Sequence, residues 1–413
     1  IWILINYLRP MKLFIKPFLL ASVFVLTLMS CGKKNKTIFV IENPNNFATE
    51  HASVTIPFNI EKYPSHFKLI DQNGNEVPYQ SDDIDQDGTP ETLFMQLSLD
   101  AGSSSTISVI EAENKPSYAV KSDITIKVRE EKDPDNMQVS DDFKSVNDYI
   151  EPFDFKQDNG LIFLEGPAWE SDLIGYRLYF DDRNRIDIFG KSTNQLALNN
   201  ISETYHERRA WGADVLKVSS SLGIGTPALF ADNKFYTIEE TGTKSMKIIA
   251  DGPLRSILEI SYPDWKINNQ TTDVRLQLEI HANHRYTELR LNTNLKNAEF
   301  ATGIVMHPAI SKINTKVSQT YTYGYTWGNQ TDLDEILGMA VIIPQKFTPD
   351  YEGELQETYV FSMKNNNSDI VYRFLGAWDL EPEDSKIGSE MNFENYVNQV
   401  AKQWQAPLKV TIK

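Results

Sequence analysis

The chain has 413 residues, 57 acidic against 40 basic side chains, a formal charge of −17 and one cysteine. That balance excludes a nucleic-acid binder, whose phosphates require clustered Lys and Arg, and gives a long polyanion no complementary field, although a short anionic sugar can still sit at a local basic site. The length suffices for a large core and two domains, and a lone cysteine offers no disulfide to support either.

Residues 1–10 read as an over-extended start before an initiator at Met11. Lys12 and Lys16, the apolar run 18–29, Ser30 and Cys31 then follow in the order of a secretory signal peptide. The apolar run is about a dozen residues, short of the roughly 20 that cross a bilayer as a helix, so within the signal peptide and lipobox at 1–31 it is read as cut off ahead of Cys31. The stretch LMSC at 28–31 resembles the lipobox of bacterial lipoproteins. That resemblance implies a lipidated Cys31 whose several acyl chains anchor the protein stably; the alternative is a lone buried cysteine behind an ordinary signal. The following GKKNK is a short basic tether without the acidic run that often accompanies surface export in Bacteroidota lipoproteins. The expected address is lipid-anchored and periplasm-facing, with surface exposure left open and no membrane contact except through the anchor.

Residues 37–112 carry short strands with turn chemistry, at 37–41, 52–60, 67–70, 92–99 and 106–110, with a hairpin turn at 71–74. By strand count this is a small β-sandwich of immunoglobulin-like size. Within it, Asp83, Asp85, Asp87 and Glu91 place carboxylates around the turn residue Gly88, the way one loop wraps oxygens around Ca²⁺. Phe94 stands where an EF-hand needs its twelfth-position glutamate, so only a shorter structural Ca²⁺ loop or a solvated acidic turn remains. No cofactor is expected to be required for chemistry. Residues 113–150 turn polar and charged and read as a linker or long loop, most plainly at EEKDPD, 130–135.

Residues 151–413 are again mostly strand, and are read as the catalytic domain. Val274, Leu276, Leu278 and Ile280 alternate with polar residues, as do Leu289 and Leu291, which predicts a long hairpin with one wet face. Phe393, Tyr396, Val397, Val400, Ala401 and Trp404 recur at the spacing of one helical face, and Pro407 ends that helix.

Four stretches of this larger region carry candidate chemistry. In 174–181, Arg177 and Tyr179 share a strand face, and Arg177 suits a sugar carboxylate, or else pairs with an acid such as Asp187. The segment 205–217 compresses His206, Arg209, Trp211 and Lys217 with further charges into one turn-and-strand unit; His206 exchanges protons near neutral pH, or simply hydrogen-bonds at the surface. His307 ends another strand as a candidate acid or base, or as a hydrogen-bonded strand end. Tyr321, Tyr323, Tyr325 and Trp327 fall at every second residue and so on one strand face, either stacking on pyranose rings or packing inward.

The stretches EGPAWE (165–170), GYRLYFD (175–181), RIDIFGK (185–191), the 206–217 segment and FATGIVMH (300–307) resemble a family of secreted Bacteroidota proteins known as a domain of unknown function. Its members are similar to an oligosaccharide dehydratase of ulvan breakdown and occur in polysaccharide-utilisation loci. The stretch GPLRSILEI (252–260) and the following hairpin also resemble the galactose-mutarotase type of β-supersandwich, shared by many polysaccharide lyases. The expected fold is therefore all-β with few helices, a small immunoglobulin-like sandwich followed by a large supersandwich at 151–413.

The expected activity is a carbon–oxygen lyase, a dehydratase or lyase that removes water from, or cleaves by acid–base β-elimination, a uronate-containing oligosaccharide. Arg177 and Arg209 would neutralise the carboxylate, His206 would act as base, Tyr325 or His307 as acid, and Trp211, Lys217, Tyr323 and Trp327 would contact the sugar. The alternatives are a non-catalytic periplasmic oligosaccharide-binding lipoprotein and a sugar epimerase or mutarotase. Fold-level likeness supports architecture more safely than reaction.

Overall fold

The computed structural model describes residues 37–131, 142–152, 155, 160–201, 204–267, 269–366 and 369–413. The signal segment and Cys31 lie outside the described residues. Residues 37–413 form one compact unit, and none of its described helices is long and apolar enough to cross a membrane.

The architecture is all-β with a single α-helix among the described residues. Its centre is a nine-stranded antiparallel sheet whose middle runs Arg255–Ile267, Gln270–His281, Tyr286–Thr293, Ile370–Trp378, Ile336–Pro344 and Tyr321–Asn329. The expected hairpin is present, with Leu276 opposite Leu291 and Leu278 opposite Leu289. Val274, Leu276, Leu278 and Ile280 are buried while their neighbours face outward, because period-2 alternation puts one face on a core. Ile370–Trp378 instead is buried along its whole length, as a central strand covered on both faces must be.

Two five-stranded sheets cover one face of the large sheet. One runs Gly212–Asp214, Ile186–Lys191, Gly175–Leu178, Ala168–Ser171 and Ser122–Thr125; the other is built around Glu299–Val305 and Thr358–Lys364. Tyr176 of the first sheet meets Phe374 of the large sheet edge-on, ring centroids 5.3 Å apart. A single core cluster joins Trp169, Ile188, Leu289, Ile304, Phe361 and Phe374 across all three sheets. Each such side chain contributes about 1.5–3 kcal/mol by leaving water.

The small sandwich pairs a three-stranded sheet, Thr49–Pro57, Thr92–Leu99 and Tyr79–Asp82, with a five-stranded one around Ile38–Glu42, Ser104–Glu111 and Phe67–Ile70. Two of the expected boundaries need correction. Ser122–Thr125, read as linker, pairs with Ala168–Ser171 and so belongs to the large body. Lys409–Ile412, read as the end of the large domain, pairs with Ile38–Glu42 in the small sandwich. Neither partner is near in sequence, so local composition could not reveal either pairing.

The helix Glu390–Gln405 starts where Ser389 accepts from the Asn392 N–H, an N-cap that satisfies an orphan backbone donor. Its buried face is Phe393, Val397, Val400 and Ala401, and it covers the outer face of the large sheet over Tyr321, Tyr323 and Tyr325.

Candidate functional site

The site is built on one hairpin and one loop. Pairing of Gly175–Leu178 with Ile186–Lys191 sets Arg177 directly opposite Asp187, and pairing of Ile186–Lys191 with Gly212–Asp214 sets Phe189 opposite Asp214. These residues share the sheet face turned away from the main core. The loop before Gly212 folds back on itself: Arg209 and Gly212 exchange backbone hydrogen bonds, and the Asp214 N–H donates to the Tyr205 carbonyl at 2.8 Å. His206 is thereby carried alongside Asp214. Gly212 is required in this tight return, since at φ +145° a Cβ would stand 1.9 Å from the Gly190 carbonyl oxygen.

Arg177 is 1% exposed and fully engaged. Its Nε and Nη2 donate to Asp187 Oδ2 at 3.1 and 2.8 Å, Nη2 to Asp214 Oδ2 at 2.7 Å, and Nη1 to the Tyr205 hydroxyl at 3.1 Å. Nη1 also reaches the Leu164 carbonyl at 3.4 Å and Nη2 the Tyr179 hydroxyl. Leu164 and Glu165 hold φ of 57° and 60° without being glycine. Such conformers cost about 1–3 kcal/mol each and persist where surrounding contacts fix them; here they turn the Leu164 carbonyl, and a Glu165 carboxylate 3.6 Å away, toward the buried guanidinium. The expectation that Arg177 clamps a substrate carboxylate is therefore corrected: it orders the protein's own acids, the alternative that named Asp187.

Above this cluster opens a hollow of about 340 Å³, whose wall includes His206, Tyr179, Arg183, Asp214, Lys217 and Asp332. The Nδ1 atom of His206 lies 3.4 Å from Asp214 Oδ2, and the imidazole is half exposed. Its hydrogen bond to Asp214 raises its pKa above the ordinary 6.5, outweighing burial, which acts in the opposite direction. Burial and then the Asp187 charge push the Tyr179 phenol upward, so it stays protonated at neutral pH. Its hydroxyl donates to Asp187 at 3.0 Å, and the guanidinium of Arg183 lies 3.8 Å from its ring centroid. Burial lowers the pKa of Arg183, but bonds to Asp181 and Glu165 more than offset it and keep the group charged. Lys217 is exposed at the rim. An imidazole, the two carboxylates of Asp214 and Asp332 and two cations thus line this space.

The structure brings His206 and Lys217 together there, with Arg177 behind them through Asp214. The other expected site residues lie elsewhere. Tyr323 and Tyr325 are 1% and 6% exposed under the helix, their hydroxyls 3.3 and 3.4 Å from Glu394. Trp327 packs on Phe393 with ring centroids 5.4 Å apart. The aromatic face is a packed one, because the amphipathic helix needs an apolar surface and the tyrosines supply it. His307 sits past the end of Glu299–Val305 with Nδ1 accepting from the Ala309 N–H at 3.2 Å, and it does not line the hollow. Arg209 turns to the Thr204 carbonyl and to Glu207. Trp211 packs edge-on to Phe189, ring centroids 6.1 Å apart.

Sequence reasoning missed Arg183, Tyr179 and Asp332 as lining residues and Asp214 as the partner of His206. Asp214 follows His206 by eight positions, and only the fold-back of the loop makes them neighbours. Asp332 comes from the distant turn before Ile336–Pro344, and its N–H reaches the Val215 carbonyl at 3.4 Å.

In the small sandwich, one carboxylate oxygen from each of Asp83, Asp85, Asp87 and Glu91 lies within 4.8 Å of the others. The all-oxygen donor set suits a hard cation such as Ca²⁺, and Glu91 Oε1 is buried without a hydrogen-bond partner. The loop also touches the large sheet, with Gln86 donating to the Ile248 carbonyl at 2.8 Å. These residues would hold a structural ion, and none of them lines the hollow that His206 lines.

A sequence profile described as a domain of unknown function, DUF4861, matches residues 41–410. Uncharacterized protein P7 of Formosa agariphila is 24% identical over 219 residues, which are 51% of this chain and 52% of that protein; the match spans about half of its length. Among solved structures, an alpha-mannosidase from Enterococcus faecalis V583 aligns with TM-score 0.45 at 11% identity, covering 92% of this chain and 46% of the mannosidase. A protein in the glycosyl hydrolase family 38 from Enterococcus faecalis gives TM-score 0.45 and 11% identity, with 92% and 48% covered.

Proposed function

The chain belongs to the DUF4861 family, and from that premise we propose that it is a carbon–oxygen lyase acting by acid–base elimination on a uronate-bearing oligosaccharide. The observation that carries the reading is His206 held on Asp214 inside a hollow that also presents Arg183 and Lys217. A uronate carboxylate drawn to Lys217, with Arg183 beside it partly neutralised by Asp181 and Glu165, loses charge density, which acidifies the hydrogen on the adjacent carbon. With Nδ1 engaged by Asp214, Nε2 of His206 is the nitrogen that removes this proton.

The electron pair left on carbon forms the double bond as the neighbouring carbon–oxygen bond breaks. The His206 imidazolium then gives its proton to the departing oxygen, so that one residue serves as base and acid when both groups leave from the same face. If the departing oxygen is a hydroxyl the product is water; if it is a glycosidic oxygen the chain is cut. Asp214 fixes the ring and stabilises the imidazolium, while Arg177 keeps Asp214 in place.

The test is incubation of residues 37–413 with a panel of uronate oligosaccharides, followed by mass and ultraviolet absorbance. Loss of one water from an intact oligosaccharide marks a dehydratase, shortening with new ultraviolet absorbance marks a lyase, and unchanged mass with measurable binding overturns elimination in favour of a binding protein or, where NMR shows a changed anomer or epimer, of a mutarotase or epimerase. The proposed address, a periplasm-facing membrane anchored through Cys31, is tested by metabolic labelling with a fatty-acid analogue, which Cys31→Ala abolishes.

A further inference from the structure

A second constellation of reactive groups lies at the seam between the small sandwich and the large sheet. Ser53 alternates with Ala52 and Val54, whose side chains fill the small core, so it points the other way, toward the turn of the long hairpin. Its Oγ is 2.9 Å from His281 Nδ1, and His281 Nε2 is 2.5 Å from Glu279 Oε1. The same oxygen of Glu279 receives Arg255 Nη1 at 3.2 Å. Ser53 also lines a cavity of about 80 Å³ shared with His284, Tyr286, Arg373, Val400 and Trp404. His281 stands behind Ser53, and Glu279 behind His281.

A hydroxyl within reach of an imidazole whose far nitrogen is fixed by a carboxylate is the general arrangement of an activated serine. We propose that Ser53, His281 and Glu279 form a second reactive centre, in which Ser53 attacks esters of short-chain carboxylic acids. Glu279 holds the proton on Nε2, which leaves the Nδ1 lone pair to accept from Ser53. Tyr286, with its hydroxyl 2.8 Å from Nδ1, competes for that lone pair until an ester enters.

In the first step Ser53 Oγ bonds to the acyl carbon and its proton passes to Nδ1. The ester carbon–oxygen bond then breaks, and the alcohol leaves with that proton. Water repeats the sequence, releasing the carboxylic acid and restoring Ser53. Arg373 is the one Lys or Arg among the described residues that line the cavity; its Nε and Nη2 are bound to Glu288 at 3.0 and 2.9 Å, and its guanidinium stacks on Tyr286 and Trp404. Because it lines the same cavity as Ser53, its charge would favour the acyl oxygen as that becomes negative. The cavity is small, about 80 Å³, which favours short acyl groups over long ones.

The experiment treats folded residues 37–413 with methanesulfonyl fluoride, a small reagent that sulfonylates activated serines, and maps the adduct by peptide mass. The expected result is one methanesulfonyl group on Ser53, absent in Ser53→Ala, with the rate falling about a hundredfold in His281→Gln. An unmodified Ser53 in the wild-type protein, or an unchanged rate in His281→Gln, overturns the proposal and leaves the network as a fastening between the two sheets. If His281→Gln does not fold, wild-type labelling decides alone, because a serine without a base is inert to this reagent. The outcome is independent of whether His206 catalyses elimination.

Discussion

Asp214 Oδ2 lies 3.4 Å from Nδ1 of His206 while the same atom accepts from Arg177 at 2.7 Å. One oxygen therefore joins a half-exposed imidazole to a fully buried cation. The protonation of His206 is tied to a network whose centre, Arg177 and Asp187, is buried.

If neutral His206 is the base, activity should rise with pH through a value above the ordinary 6.5, because Asp214 favours the imidazolium. Asp214→Asn should move that inflection down, and His206→Gln should lower turnover by about 10²–10⁴-fold with the fold intact. Stability should run the opposite way. A raised folded-state pKa means that the pair contributes fully below the unfolded value and is lost as pH rises through the folded one. Rate profiles and denaturation curves over the same pH range check both signs.

Replacing Arg177 by Met should destabilise the protein by about 3–5 kcal/mol, since Asp187 and Asp214 would be left buried without their cation. Burial and the Asp214 charge already push Asp187 upward against the pull of Arg177. Urea denaturation of the variant, with circular dichroism confirming its β content, measures the loss. A cost below the surface-ion-pair range would mean that Arg177 does not order the acids.

Lys217 is exposed, so Lys217→Ala should leave the melting temperature unchanged. It should weaken binding of a uronate oligosaccharide about tenfold, the effect of losing one hydrogen bond to a charged group. Calorimetric titration at two salt concentrations checks the loss and its electrostatic origin, because added salt should narrow the gap between wild type and variant.

Tyr325→Phe and His307→Gln should leave turnover unchanged, since neither residue reaches the hollow. A collapse of activity in either would return it to the role of acid and remove that role from His206.

Calcium should raise the melting temperature if the acidic loop holds it, by about 2.7 kcal/mol of added stability at a hundred times the dissociation constant. Asp85→Asn should abolish the rise. A melting curve indifferent to both calcium and chelator would mark the loop as a solvated turn.

The alternation of Val274 to Ile280 and the helical spacing from Phe393 to Trp404 were readable from the chain, because both patterns report which face of a local element is buried. What covers a face is not local. Tyr321, Tyr323 and Tyr325 do share a strand face as their spacing requires, but the helix on top of them arrives from some seventy positions later. The density of charge at 205–217 drew attention to His206 and Lys217, which line one hollow, whereas the partners of Arg177 include Tyr205 and Asp214, supplied by another strand and loop. The small sandwich showed most of its strands through turn residues, yet gave no sign that Lys409–Ile412 would complete it.

That last pairing governs the order in which the molecule can be assembled. Ile38–Glu42, the earliest strand described, keeps one edge vacant until Lys409–Ile412, about 370 positions later, arrives to occupy it. A fragment ending at residue 112 would present that bare edge to other chains and should aggregate, whereas adding a peptide of residues 407–413 should rescue its solubility.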